Sequence, residues 1–286
     1  MVNEGGRTGA ETTVWPTGRA RRGGEIMRTE NGLRQALEAG ETVLGASAAT
    51  FSPTVVETFG AVGLDYVWLD FEHGGPSPYD ATAFEELTRA AEAADIELLV
   101  RLPKPDPALV RKVLDAGVRT ILIPRVETAA DLRPAVEAAY FAYDGGVGDR
   151  GVGVGRSGEW AGYVDSYIGG EDSEVLVGTM IENERAVENV ESILSVPHLG
   201  FAFVGPADMS ISMSDGEPLA DNSDAVESAI DRTRDACLDA GVPIGRIRND
   251  AQQAQTAVDE GYQIVRIGGD VSAIREHVGE RLGALQ

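Results

Sequence analysis

Carboxylates, a histidine and an arginine directly follow short apolar segments at several places in this chain of 286 residues. One apolar segment leads into Asp70 and His73, a second ends in Glu182, and a third is followed by Asp208. Catalytic side chains occupy the carboxyl ends of strands in barrels built from alternating strands and helices. The pattern therefore predicts that these side chains meet at one site, and their chemical types favour a metal-assisted enzyme.

Glu182 and Asp208 are the predicted metal ligands. If their strands are neighbours, both carboxylates project toward one point, and hard carboxylate oxygens suit a divalent cation such as Mg²⁺ or Mn²⁺. The alternative interpretation is that each carboxylate only caps the helix that follows it, since helix N-termini favour anions. The sequence has no cluster of cysteine and histidine that would indicate a structural zinc site.

His73 is the predicted general base, because an imidazole partnered by a carboxylate such as Asp70 has a fixed tautomer and greater basicity. The alternative for a single histidine is a structural role. Arg101 ends another apolar segment, where its cation would bind a carboxylate or a developing oxyanion, or pair with an acid inside the protein. Asp115 ends a predicted helix, and its spacing alone indicates a surface charge.

The numbers and positions of the charged residues indicate which catalytic chemistry and which binding partners suit this chain. Lys104 and Lys112 are the only lysines, and neither has the apolar strand setting of an imine-forming lysine, so metal chemistry is favoured. With 47 acidic against 24 basic residues the net charge is −23, which makes nucleic acids and anionic membranes poor partners. Lysine scarcity favours a salt-adapted, halophilic protein over an acidic protein of dilute cytoplasm.

Cysteine usage and hydropathy indicate a cytoplasmic protein. A single cysteine, Cys237, excludes an intramolecular disulfide framework and fits a reducing compartment. No apolar run approaches the ~18 residues that a membrane span requires. Residues 1–26 lack periodicity and are predicted to form a disordered tail, which leaves 27–286 as one domain.

Eight strand-like segments alternate with helical patterns from Met27 onward. Start and stop signals, such as Ser52-Pro53 and Gly63 around the first helix, separate them clearly. This order predicts an α/β fold of the (β/α)8 TIM-barrel type, and the absence of a GxGxxG turn after the first strand disfavours a dinucleotide-binding sheet. The predicted strands are 42–47, 66–71, 97–102, 120–126, 175–182, 200–205, 243–248 and 264–268.

The glycine-rich segment 144–172 interrupts the regular spacing. We expect it on the active-site face because it comes after the fourth strand, and we interpret it as a substrate loop, with structural packing as the alternative. A phosphate-binding loop is disfavoured, since the Lys-Ser/Thr of that motif is absent.

Five short motifs together resemble the HpcH/HpaI aldolase family, whose members are class II, metal-dependent pyruvate aldolases. The resemblance runs from about Met27 to the last strand, in the family's order. It implies a TIM barrel of the phosphoenolpyruvate/pyruvate type that reversibly cleaves a 4-hydroxy-2-oxo acid to pyruvate and an aldehyde. The motifs are LDFEH at 69–73, VRLP at 100–103, LIP at 122–124, MIE at 180–182 and VGPADMS at 204–210.

The resemblance implies a role for each matching residue. Glu182 and Asp208 would hold a divalent metal ion, which would be Mg²⁺, Mn²⁺ or Co²⁺. His73 would accept a proton, with Asp115 raising its basicity, and Arg101 would stabilise the transition state. Further members of the implied site are Asp70 in the polar cluster and Gly205, Pro206 and Ala207 as substrate contacts, with Asp208.

Two further properties follow from the resemblance. Family members usually carry a substrate-binding glutamine two residues before the metal glutamate, where this chain has Met180, whose thioether cannot donate a hydrogen bond. Family members also assemble as hexamers from dimers or trimers that exchange the last helix, which implies a homo-oligomer, a hexamer or a trimer, here.

Two rival functions stay open at this point. Residues 123–127 also fit an acyl-CoA lyase or thioesterase of the citrate lyase β/malyl-CoA lyase type, although no clear CoA groove is visible in the sequence. A barrel that binds a small oxoacid without catalysis is the second rival, and Met180 supports it. The aldehyde is not identified, and we expect 144–172, the end of strand seven around Arg246 and Arg248, and a neighbouring subunit to select it. The alternative for the two arginines is that they are surface residues.

Overall fold

Eight parallel strands close into a barrel in a computed structural model that describes residues 30–161, 167–214 and 224–285. Each strand pairs with the next barrel strand along the chain, and the last pairs with the first. This arrangement confirms the predicted (β/α)8 TIM barrel and all eight predicted strands. The barrel strands are β1 Val43–Ser47, β2 Tyr66–Asp70, β3 Glu97–Arg101, β4 Thr120–Ile123, β5 Leu176–Ile181, β6 Leu199–Val204, β7 Ile244–Ile247 and β8 Ile264–Gly269.

Helices follow the strands and cover the outside of the barrel. Gly63 ends α2 in the left-handed conformation, as the sequence predicts, and Asp106 caps α4 by accepting hydrogen bonds from the backbone of its first turn. Ser52 stands at the predicted N-cap of α2 but makes no capping hydrogen bond with its side chain. The helices are α1 Gly32–Glu38, α2 Pro53–Val62, α3 Ala81–Ala94, α4 Pro107–Asp115, α5 Ala129–Glu137, α6 Tyr167–Glu174, α7 Glu184–Glu188, α8 Val190–Leu194, α9 Pro206–Met213, α10 Asp224–Ala240, α11 Ala251–Asp259 and α12 Asp270–Gly283.

The interior of the barrel is filled by large side chains that face glycines on neighbouring strands. A Cβ atom at Gly178 would lie 2.3 Å from the ring of Phe201, and one at Gly245 would lie 2.2 Å from the ring of Phe203. Helix α1, which the sequence did not predict, adds Leu33 to the same interior cluster. Because the interior is packed, a substrate site has to lie at the mouth of the barrel rather than inside it.

The glycine-rich insertion lies on the amino-terminal side of the barrel, so its predicted place on the active-site face is wrong. It follows helix α5 rather than strand β4, and barrel helices run back toward the amino ends of the strands. Arg156 pairs with Glu92 near the end of α3, and the Ser157 N–H donates to the carbonyl oxygen of Asp115 at 3.2 Å. Part of the insertion is regular, since it contains α6 and a hairpin of 142–143 with 146–147.

The remaining predictions on chain organisation are tested only in part. The predicted tail, 1–26, lies outside the described residues. Within the described ranges, no helix is both long enough and apolar enough to cross a membrane.

Candidate active site

Arg101 and Asp70 form a bidentate ion pair at the carboxyl ends of β3 and β2. The Arg101 Nε and Nη2 atoms donate to the two carboxylate oxygens of Asp70 at 2.9 and 2.6 Å. Burial alone would raise the pKa of Asp70, but the hydrogen bonds and charge of Arg101 lower it below the ordinary value. Asp70 is therefore an ionised partner that fixes the plane of the guanidinium.

Glu72 also contacts Arg101, and the sequence analysis assigned no role to this acid. Its side chain is 6% exposed and contacts Arg101 Nη1 at 3.2 Å and Arg125 Nε at 2.6 Å. The sequence contained a signal for this role, because Glu72 follows the same apolar segment as Asp70 and lies only two residues after it. Glu72 contacts Nη1 of Arg101, whereas Asp70 accepts hydrogen bonds from Nε and Nη2. The two acids together fix the orientation of the guanidinium.

His73 lies at the rim of this cluster, with 52% of its side chain exposed. Asp70 accepts a hydrogen bond from the backbone N–H of His73 at 3.4 Å, whereas the imidazole Nε2 lies 3.7 Å from Glu72. The carboxylate nearest the ring is therefore Glu72, and the predicted imidazole partner, Asp70, is used by Arg101 instead. An exposed imidazole at the mouth remains accessible to a substrate hydroxyl group.

Glu182 ends β5 with one carboxylate oxygen satisfied and the other without a partner. The Arg125 N–H donates to Oε1 at 2.7 Å, while Oε2 is buried and accepts no hydrogen bond. Burial, together with the charges of Glu72 and Asp208, raises the pKa of Glu182 against the effect of the Arg125 N–H. A buried anionic oxygen without a donor is a site for a cation or a proton.

Asp208 faces the same space from the first turn of α9. Strands β5 and β6 are neighbours, with Ile181 opposite Val204, so both acids extend from adjacent strand ends as predicted. Gly205 separates them, and a Cβ atom there would lie 3.1 Å from Glu182 Oε2. The first backbone N–H groups of α9 have no acceptor within their helix, so they can receive an anionic group.

The donor set fits a divalent cation with two protein ligands. Glu182 and Asp208 offer hard oxygens, and the acids outnumber Arg101 and Arg125 in this cluster. In the part of the chain that the structure describes, no group of three or more His, Cys, Asp or Glu side chains is arranged to hold a metal. A cation here would therefore complete its coordination shell with water and substrate oxygens.

Asp115 is neither a surface charge nor a neighbour of His73 within this chain. It is half-buried at the C-terminal end of α4, on the amino-terminal side of the barrel, and a Cβ atom at Gly153 would lie 3.0 Å from its Oδ2 atom. Burial raises the pKa of Asp115 despite the charge of Arg150. Its implied effect on His73 stays a prediction, and one that the fold of a single chain does not supply.

The arginines of β7 and β8 do not face the directions that the sequence analysis expected. Arg246 faces outward, where its Nη2 lies 3.4 Å from Glu227 of α10, so its predicted role in specificity is wrong. Arg248 follows β7, and its Nη1 atom donates to the carbonyl oxygen of Ile247 at 3.2 Å. Arg266, to which the sequence gave no role, faces the barrel interior, and its Nη1 atom donates to Ser47 Oγ at 3.4 Å.

The chain is similar to a known enzyme family over most of its length. The family model for HpcH/HpaI aldolase/citrate lyase matches residues 46–276. A 4-hydroxy-2-oxovalerate aldolase of Novosphingobium aromaticivorans is 29% identical over 253 residues, which are 88% of this chain and 93% of that protein. A 2-keto-3-deoxy-L-rhamnonate aldolase of Klebsiella pneumoniae is 30% identical over 256 residues, 88% of this chain and 92% of the relative.

The fold comparison agrees with the sequence comparison. A crystal structure of an HpcH/HpaI aldolase/citrate lyase family protein from Burkholderia cenocepacia superposes with a TM-score of 0.82 at 30% identity. The match covers 89% of this chain and 99% of that one. The likeness therefore extends over the whole barrel.

Proposed function

The chain belongs to the HpcH/HpaI aldolase/citrate lyase family, and we propose that it is a carbon–carbon lyase that cleaves a 4-hydroxy-2-oxo acid to pyruvate and an aldehyde. The reaction is reversible, so the same site joins pyruvate to the aldehyde. The observation that carries the proposal is the buried, partnerless Oε2 atom of Glu182 beside Asp208 and the open N-terminus of α9. This arrangement can receive a cation and the anionic oxygens of an oxoacid together.

Glu182 and Asp208 would hold the divalent metal ion, as Mg²⁺, Mn²⁺ or Co²⁺. When bound, such an ion acts as a Lewis acid toward the oxygen of the 2-oxo group. The first N–H groups of α9, at Ala207 and Asp208, would receive the carboxylate of the pyruvyl unit. Gly205 and Pro206 keep the helix start close to Glu182, because no side chain at Gly205 could fit between them.

Arg101 would stabilise the negative charge that develops on the 2-oxo oxygen. Two of its five N–H groups, on Nε and Nη2, donate to Asp70, and Nη1 lies 3.2 Å from Glu72, so N–H groups on Nη1 and Nη2 are left for the substrate. Because both acids hold the guanidinium in one plane, its position costs little reorganisation during the reaction. Asp70 and Glu72 are positioning residues in this scheme.

His73 would take the proton from the C4 hydroxyl group in the cleavage direction and return it in condensation. Its exposed position at the rim fits contact with the aldehyde half rather than with the pyruvyl half. In the condensation direction C3 of pyruvate gives up one proton, the C3 carbon forms a bond to the aldehyde carbon, and the aldehyde oxygen gains one proton, so protons balance overall.

The small-molecule substrate is one partner, and we propose further copies of the same chain, in the cytoplasm, as the other. Helix α12 presents a row of apolar side chains to solvent, although such rows are normally covered. A homo-oligomer, a hexamer or a trimer in which neighbouring chains cover this helix, would account for them. The exposed residues of the row are Val271, Ile274, Val278 and Leu282, and Leu285 follows just after the helix.

Pyruvate release from a panel of 4-hydroxy-2-oxo acids, measured in high KCl, tests the proposal. Protein stripped with EDTA should be inactive, and Mg²⁺ or Mn²⁺ should restore release. His73→Ala should reduce turnover far more than metal affinity, whereas Glu182→Ala should abolish both. Normal turnover in His73→Ala would remove its role as the base. Cleavage of CoA thioesters, or oxalate binding without release from any acid, would favour the rival functions instead.

A further inference from the structure

Arg266 and Tyr66 lie on either side of Gly45 inside the barrel. Gly45 of β1 is the register partner of Arg266 in β8 and of Tyr66 in β2, so the three residues belong to one layer of the barrel. The ring of Tyr66 covers the glycine, because a Cβ atom at Gly45 would lie 2.5 Å from the ring carbon that bears the hydroxyl group. The hydroxyl group therefore lies over β1, which is the neighbour of the strand that carries Arg266.

Both side chains have a buried hydrogen-bond donor without an acceptor among the described residues. These donors are the hydroxyl group of Tyr66 and the Nε atom of Arg266. The outer nitrogens of Arg266 do have acceptors. Nη1 donates to the carbonyl oxygen of Gly268 at 2.8 Å and to Ser47 Oγ at 3.4 Å, and Nη2 lies 3.4 Å from Asn249 Oδ1. Because those acceptors lie at the carboxyl ends of their strands, the unsatisfied Nε atom is the donor that lies deeper in the barrel.

The positive charge of Arg266 has no carboxylate partner in the part of the chain that the structure describes. Its three acceptors are a carbonyl, a hydroxyl and an amide oxygen, which are all neutral. Tyr66 supplies no negative charge, because burial raises the pKa of its hydroxyl group against the effect of Arg266. Burying a cation without a counter-ion is costly, so a negatively charged acceptor would stabilise this layer.

A second arginine–tyrosine pair in the same barrel has the component that this one lacks. Arg246 is buried, and its Nη1 atom donates to the hydroxyl group of Tyr262 at 3.5 Å. Its Nη2 atom lies 3.4 Å from Glu227, which compensates the charge. The pair of Arg266 with Tyr66 combines the same two types of side chain without an acid.

The packing of the layer favours a monatomic anion. Tyr66 belongs to the interior cluster together with Trp68, Phe201 and Phe203, and such interiors leave few spaces larger than a water molecule. A carboxylate or a phosphate presents several oxygens that each need donors, whereas a halide ion accepts hydrogen bonds from any direction and is little larger than water. A water molecule would satisfy both donors but would leave the charge of Arg266 uncompensated.

We propose that Arg266 and Tyr66 bind a chloride ion inside the barrel, held by the Nε–H group of the arginine and the hydroxyl group of the tyrosine above Gly45. The ion would link β8, β1 and β2, where the first and last strands close the barrel. Since the unfolded chain does not form this layer, chloride would stabilise the fold. The site is separate from the residues assigned to the reaction and does not depend on the proposed aldolase function.

Thermal melts in KCl and in potassium gluconate at equal concentration test the inference. Equal potassium keeps the screening of the acidic surface the same. The quantity compared is the Tm in KCl minus the Tm in gluconate, because general effects of the two salts are shared by all variants. With chloride at about ten times its Kd, this difference should be roughly 3–6 °C smaller in Arg266→Met than in the wild type. Tyr66→Phe keeps the ring over Gly45 and should lose part of the difference.

Arg246→Met is the matched control. It removes a buried arginine that also lies beside a tyrosine but already has a carboxylate partner. It should change the Tm equally in both salts and so leave the difference at the wild-type value. An unchanged difference in Arg266→Met would overturn the inference. If that variant does not fold, an unchanged difference in Tyr66→Phe has the same meaning.

Diffraction from crystals grown in KBr locates the ion, because bromide replaces chloride and scatters anomalously. A bromide peak in contact with Arg266 Nε and the Tyr66 hydroxyl group in the wild type, and absent from Arg266→Met, would support the inference. A water molecule at this position, or bromide bound only elsewhere, would overturn it and leave Arg266 a structural residue.

Discussion

Replacing Glu182 by glutamine should stabilise the metal-free protein and at the same time remove its stabilisation by metal. The carboxylate is buried, its Oε2 atom has no donor, and the charges of Glu72 and Asp208 act against it. Glutamine keeps an acceptor for the Arg125 N–H and offers an amide NH₂ group to the two neighbouring acids. The change therefore removes a repulsion that a cation would otherwise relieve.

The magnitude follows from the cost of a buried, unpaired polar group. Such a group costs about 1–3 kcal/mol, and we expect glutamine to recover about 1–2 kcal/mol of it. Because 1 kcal/mol shifts the Tm of a domain of this size by about 2–4 °C, the variant should melt roughly 2–8 °C higher in EDTA. Metal at 100 times its Kd should stabilise the wild type by about 2.7 kcal/mol and the variant not at all.

Thermal melts in EDTA and in Mn²⁺, with calorimetric titration of Mn²⁺, measure both effects. Glu184→Gln is the control, since this acid lies two residues further along in an exposed position and should alter neither melt. A lower Tm of Glu182→Gln in EDTA would show that the carboxylate is not strained without metal. A retained metal shift in the same variant would show that Glu182 is not a ligand, and together the two results would refute the argument.

Two further predictions concern stability and assembly. Asp270 accepts backbone hydrogen bonds from Ala49 and Thr50 at 2.9 and 3.0 Å, and these contacts lower its pKa although burial raises it. Asp270→Asn should cost about 2 kcal/mol in urea unfolding at pH 7. The deficit should shrink as the pH falls below the unfolded carboxyl pKa of about 3.9 and through the lowered folded value, since protonation removes the advantage of the charged form. Ile274→Glu combined with Val278→Glu should dissociate the oligomer in light scattering with detection of mass, and an unchanged mass would exclude the apolar face of α12 as the interface.

The barrel and the placement of Glu182 and Asp208 at neighbouring strand ends were predictable because both depend on short-range signals. Strand length, helix caps and an acid at each strand end suffice to place Glu182 and Asp208 on neighbouring strands once the order of elements is known. The error over 144–172 came from the same reasoning, because the insertion was assigned from the strand before it, although a helix intervenes. Helix α1 escaped notice because seven residues carry too little periodicity for recognition.

The arginines show where one-dimensional patterns fail. Arg246 and Arg248 stand at the end of a strand and looked functional, yet Arg246 points outward because Gly245 takes the interior position against Phe203. Arg266 stands before the end of its strand, and its long side chain bends along the barrel to reach Gly268 and Asn249. Only the register of β8 against its neighbours decides which arginine reaches the mouth.

Met180 places a thioether next to the start of α9. The thioether lies in the barrel interior beside Gly205, where a Cβ atom would lie 3.0 Å from Met180 Cε, and it donates no hydrogen bond. In the proposed function, recognition of the oxoacid end would therefore fall to Arg101, the start of α9 and the metal. Arg101 and the start of α9 belong to β3 and to the end of β6, so this recognition would come from two separate parts of the barrel mouth.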